Sequence, residues 1–216
     1  MWLYHPMQII NIMAASLDGR IASYSDESDS ERKRLGFTNE ADHAHMLRWL
    51  RQCDAVIVGA HSVNVSGGVM EVLNEKGVHP TWVMLSNRGY APDQSIWNHP
   101  NTPKWLVSSA ALTADRCGTA AKQIVYSEGQ LVEDTLKACK AAGFQKVLLF
   151  GGGQVNRAFY AASAVDELVL TVCPVLVGKS TGVPLVAPEL PDSVQFKLHR
   201  VEEGGDLVFL HYLVQR

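Results

Sequence analysis

Short apolar runs of strand length recur along this chain and alternate with helix-patterned segments, which is the tightest constraint on its fold. The runs are QIINIMAAS (8–16), AVIVG (55–59), TWVMLS (81–86), KWLVSS (104–109), KQIVYS (122–127), KVLLF (146–150) and ELVLTVC (167–173). Strands separated by helices imply parallel pairing through crossovers. The C-terminal end differs: FKLHRVEE, Gly204-Gly205 and DLVFLHYLV read as an antiparallel hairpin. The expected fold class is α/β, with a mainly parallel sheet of about eight strands and an antiparallel edge.

Three helices stand out. One is capped by Thr38 and runs to about Gln52, with Met46, Leu47, Leu50 and Cys53 on its core face. A second spans 130–143 and stops at Gly143. The third starts near Gly153 and carries Val155, Ala158, Phe159 and Ala162 inward. The polar insert SYSDESDSERKRLG (23–36) follows the first strand and reads equally as a solvated loop or as a flap over a pocket at that strand's carboxyl end.

At 216 residues and 47% hydrophobic content the chain suffices for one domain with one substantial core. Its net charge of −3 provides no basic field for nucleic acid or an anionic membrane. The four cysteines lack C-x-x-C spacing, which favours reduced, packed thiols over a disulfide frame or zinc site. The N-terminus lacks a basic residue before its apolar part, and no apolar run reaches the length of a membrane helix; a cytoplasmic location is expected.

Three glycines, Gly151, Gly152 and Gly153, stand directly between a buried strand and a helix start. Bare backbone at that junction turns N–H groups and the positive end of a helix dipole outward together, a seat for an anion. Close packing of helix on strand accounts for one such glycine or two, so the third points to a ligand. The run is not a regular dinucleotide fingerprint, because Asn156 stands in the last glycine place; GKS at 178–180 is not a P-loop, because Cys173 replaces its first glycine. A second strand exit at Gly59, with Ser62 three residues on, suggests the second phosphate of a dinucleotide. His43 and His45, two residues apart on a helix, point in different directions and make no metal pair.

The segments ASLDGRIA (15–22), TNEADHAHMLRWLRQCDAVIVGAHSV (38–63), GGGQVNRAFYAASAVDELVL (151–170) and CPVLVG (173–178) together resemble the pyrimidine reductases of riboflavin biosynthesis. These form the C-terminal half of a bifunctional deaminase-reductase and share the three-layer dihydrofolate-reductase-like fold. The resemblance implies an NADPH-dependent reductase that converts the ribosylamino group of a phosphorylated aminopyrimidine to a ribitylamino group. It assigns Gly151, Gly152, Gly153, Gln154, Val155 and Asn156 to the cofactor's pyrophosphate side, joined by Gly59 and Ser62. Ser86 and Arg88 would lie at the adenosine 2′-phosphate, and Ala15 at the nicotinamide. Asp18, Thr38, Asn39, Arg48 and Arg51 are the candidates for substrate contact, with Arg32, Lys33 and Arg34 a further grip for its phosphate. No catalytic residue is assigned, since hydride transfer asks the protein mainly to orient the reactants.

Departures from the family pattern fall on the substrate side. Ile12 stands where the family carries lysine, Phe150 where it carries glutamate, and NVSGGVMEVLNEKG (64–77) where it carries a D-D-P-x-L-x-x-R segment. Two alternatives therefore accompany the reading: a reductase of the same fold acting on another small substrate, and a silent NADPH-binding module. A homodimer is expected from the resemblance and the apolar terminal strands.

Overall fold

The computed structural model describes residues 7–66, 68–120 and 122–216; the start of the N-terminal stretch lies outside them. In chain order the elements are β1 (Gln8–Ser16), β2 (Arg20–Ala22), α1 (Asp29–Arg34), α2 (Glu40–Leu50), β3 (Ala55–Gly59), α3 (Ala60–Ser66) and β4 (Thr81–Leu85). After a 3₁₀ turn at Ser95–Asn98 come β5 (Lys104–Ser108), α4 (Ala114–Cys117), β6 (Lys122–Val125), α5 (Leu131–Ala141) and β7 (Lys146–Phe150). Then follow α6 (Gly153–Ala161), β8 (Glu167–Cys173), β9 (Val183–Pro184), β10 (Gln195–Gly204) and β11 (Leu207–Gln215). A nine-stranded sheet has the order β10-β11-β8-β1-β7-β3-β4-β5-β6, and β2 pairs with β9 beside it.

The seven strands from β8 to β6 in that order are mutually parallel, and the hairpin β10–β11 adds the antiparallel edge. Both sheet faces are covered, which is why the central strands read as unbroken apolar runs. Ile10, Val56, Met84 and Leu148 face one core with Leu50 of α2. Their neighbours Ile9, Ile57, Val83 and Leu149 face the other with Cys139 of α5 and Phe159 of α6. That period of two places helices on each side of the sheet, in three layers.

Local details differ from the sequence reading. Asn39, not Thr38, caps α2: its Oδ1 accepts the N–H of Asp42, three residues on, while the Thr38 hydroxyl donates to the Asp42 carboxylate at 2.9 Å. In α6 the inward positions are Gly153, Asn156, Phe159 and Tyr160; Ala162 lies beyond the helix and is exposed. The insert at 23–36 is not a plain loop. Ser28 and Glu31 form a reciprocal capping box that starts α1, and Tyr24 and Ser28 donate hydrogen bonds that lower the Glu31 carboxyl to about 2. Burial pushes the thiols of Cys53, Cys139 and Cys173 up to about 12, as befits packed, unreactive cysteines.

Candidate active site

A cleft of about 1220 Å³ opens along the carboxyl ends of the parallel strands, where open α/β sheets bind ligands. Because β7 is inserted between β1 and β3, the exits of β3 and β7 lie side by side, with Val58 in register with Phe150. Gly59 and the three glycines after Phe150 therefore meet in one wall of the cleft.

Each glycine is bare for a different reason. A Cβ on Gly151 would collide with Asn156 Oδ1, and one on Gly153 would stand 2.9 Å from the Pro184 carbonyl oxygen. On Gly59 it would stand 2.9 Å from Val155 Cγ2, so this contact locks β3 against α6. Gly152 differs: a Cβ there would find only Ser62 Oγ, at 3.9 Å, and its φ of −80° suits any residue. Gly152 is the N-cap of α6, with no side-chain cap bond. The first turn of α6 thus presents its N–H groups toward Ser62 and open space.

The structure brings Gly59, Ser62, Ser86, Gly151, Gly152, Gly153, Gln154 and Val155 into this one cleft, with Thr38 and Asn39 on its opposite side. Other expected site residues lie elsewhere. Asn156 is fully buried, and its amide donates to the Leu185 carbonyl at 2.7 Å and accepts from Asn11 at 3.1 Å; it clamps the turn from behind. Ala15 is buried outside the lining, and Ile12, Met13 and Ala14 before it line the cleft instead. Arg88 is exposed outside the lining, and its carbonyl accepts from Arg116 Nε at 2.8 Å.

Asp18 holds the following loop rather than the cleft. It accepts from Ser16 Oγ and from the N–H groups of Gly178 and Val177, which together hold its carboxyl well below the usual carboxylate range. Arg48 reaches Glu202 at 3.5 Å in a separate hollow of about 270 Å³ between α2 and the terminal hairpin, and Arg51 is exposed. From α1, Arg32 and Lys33 do line the large cleft; Arg34 does not.

Several cleft residues carried no signal in the sequence. The indole of Trp82 meets Phe150 edge to face at 6.0 Å on the cleft floor. Asn87 and Tyr126, linked by a 3.2 Å hydrogen bond, line the far end. Glu27, in the segment before α1, is 2% exposed and also lines the cleft. His61 Nε2 lies 2.6 Å from the Ser25 carbonyl oxygen, tying that segment to α3 across the mouth. His45, buried beside the cleft, is lowered by its loss of solvent and by the Arg48 guanidinium.

The match to known proteins spans nearly the whole chain. Residues 7–210 match the family model described as the RibD C-terminal domain. The 2,5-diamino-6-ribosylamino-4(3H)-pyrimidinone 5′-phosphate reductase of Methanothermobacter thermautotrophicus is 24% identical over 97% of this chain and 99% of its own length. The enzyme of that name from Aquifex aeolicus is 22% identical over 84% of this chain and 83% of its own. Among solved structures, Acinetobacter baumannii RibD superposes with a TM-score of 0.78 at 22% identity, covering 99% of this chain. This chain spans only 59% of that one. The riboflavin biosynthesis reductase Rib7 of Saccharomyces cerevisiae gives 0.71 at 13% identity, over 100% of this chain and 93% of its own. At these identities the structures establish the fold. A reductase of this kind calls for a nicotinamide cofactor, and a cleft with an open, uncapped helix start fits one. The chain belongs to the RibD C-terminal domain family, a family of riboflavin-biosynthesis reductases.

Proposed function

We propose that this chain is an NADPH-dependent reductase that converts the ribosylamino group of a phosphorylated aminopyrimidine to a ribitylamino group. Support comes from the relatives that carry this activity in their names and cover nearly the whole chain. The observation that carries the cofactor assignment is Gly152, whose missing side chain no neighbour and no backbone angle requires.

When bound, NADPH supplies a hydride to the carbon of the ring-opened imine, and the imine nitrogen takes up a proton. The chain's own task is to hold the two partners in register and keep water out. Gly152 to Val155 offer amide donors to the diphosphate, with Ser62 facing them from the other strand exit. Ser86 stands at the far arm of the cleft, where a 2′-phosphate would be recognised. Arg32 and Lys33 supply positive charge on the lid side for a substrate phosphate, in place of the arginine missing from 64–77. The buried, free cysteines suit the cytoplasm, and the exposed Leu198 and Val201 on the edge strand β10 suit a homodimer.

A second reading keeps the cofactor and changes the acceptor. Phe150 packed on Trp82 makes the cleft floor aromatic where the family carries a carboxylate, which favours a less polar substrate. Two measurements test the pair. NADPH should raise the melting temperature more than NADH at equal concentration, since only the folded form binds it. The phosphorylated ribosylaminopyrimidine should drive NADPH oxidation; oxidation with other imines or carbonyls alone selects the second reading.

A further inference from the structure

Glu27 is a buried carboxyl in a lid segment, and half of it is without a partner. Its Oε2 accepts the N–H of Ser23 at 2.9 Å. Its Oε1 is buried and has no hydrogen-bond partner among the described residues. Acidic side chains are rarely this buried unless paired, and an orphan carboxyl oxygen is costly to keep. The residue lies on the wall of the large cleft, so a partner arriving through the cleft would relieve that cost.

The segment that carries it is built to be held yet to yield. Tyr24, Ser25 and Asp26 are exposed; two contacts tie the segment to the body, His61 with Ser25 and the Thr181 hydroxyl donating to the Ser23 carbonyl at 3.1 Å. On the other side the capping box fixes the start of α1 immediately after Glu27. A small shift of residues 23–27 would open Oε1 to the cleft without disturbing the Ser28 cap of α1.

We propose that Glu27 is a substrate-recognition residue whose free oxygen accepts an N–H of an amino-substituted pyrimidine ring. The chemical class follows from the oxygen: an acceptor selects a donor, and amino groups on a flat heterocycle are such donors, with the partly exposed ring of Phe150, backed by buried Trp82, in the same cleft. This rests on the proposed reaction for the identity of the ring, but its test does not depend on turnover.

Glu27→Gln is the informative change. The amide oxygen takes over the Ser23 N–H and leaves the amide NH₂ where Oε1 was, so an acceptor becomes a donor at equal size. With NADPH present, the fragment 2,5,6-triamino-4-hydroxypyrimidine, titrated by fluorescence or calorimetry, should bind the variant about tenfold more weakly than the wild type. The dissociation constant for NADPH should be unchanged, and for the full substrate KM should rise with kcat little altered. Glu27→Met, which removes both oxygens at similar volume, should weaken the fragment as well and guards against a variant that misfolds. Equal fragment affinity in wild type and a folded variant, or no fragment binding by the wild type, overturns the role of Glu27. Glu27-dependent fragment binding without turnover of the phosphorylated substrate leaves Glu27 in place and retires the proposed reaction instead.

Discussion

At the residue scale, adjacent glycines do different work. Gly151→Ala drives a methyl into Asn156 and should lower stability by about 1–3 kcal/mol, read by urea denaturation. Gly152→Ala meets no neighbour closer than 3.9 Å and should melt near the wild-type temperature. It should instead weaken NADPH binding about tenfold by filling the space in front of the amides, measured by fluorescence titration. If both variants merely lose stability, the turn is packing and not a ligand seat. A separate residue, Asp54, contributes to the loss of stability in acid. Burial pushes the Asp54 carboxyl up, yet the Lys76 ammonium at 2.5 Å and the N–H groups of Gln145 and Lys146 outweigh it and hold the group below its usual range. A depressed folded value contributes stability above the unfolded value of about 3.9 and loses it as pH falls through the folded value. Asp54→Asn should therefore cost about 1–2 kcal/mol at pH 7 and flatten the loss of stability below about pH 4, read from denaturation at a series of pH values.

At the element scale, helix α1 has six residues and no buried side chain, so its cap carries much of its stability. Ser28→Ala removes one half of the capping box, and about 1 kcal/mol of local stability with it. Hydrogen exchange should speed up in residues 29–34 while β7 and α6 keep their protection. This element was only half legible beforehand. The insert's polarity marked it as solvated and its place marked it as a possible flap, but a six-residue helix that buries nothing has no apolar period to read. The central strands were legible for the opposite reason, being buried on both faces. The cap of α2 was misplaced by one residue because Thr38 and Asn39 are both good caps, and only the position of the Asp42 amide separates them.

At the scale of the whole molecule, β10 is one of the two edge strands of the sheet and carries Leu198 and Val201 about half exposed, as the proposed homodimer edge requires. If the proposed homodimer forms through this edge, the wild type should scatter as a dimer and Leu198→Asp as a monomer; a monomeric wild type removes the dimer, and a dimeric variant removes this edge from its interface. Sequence alone settled the α/β class, the closing hairpin and the glycine turn, because each is written in contiguous residues as a period, a turn or a bare run. Tertiary structure alone decided which side chains share the cleft. Gly152 meets Gly59 because β7 inserts between β1 and β3, and Ser86 joins them through the β3–β4 pairing, whereas Arg48 and Asp18 are drawn off by Glu202 and by the amides of Val177 and Gly178. Strand order and the partner a charged group finds are long-range choices, settled by packing and hydrogen bonding among residues far apart in the chain.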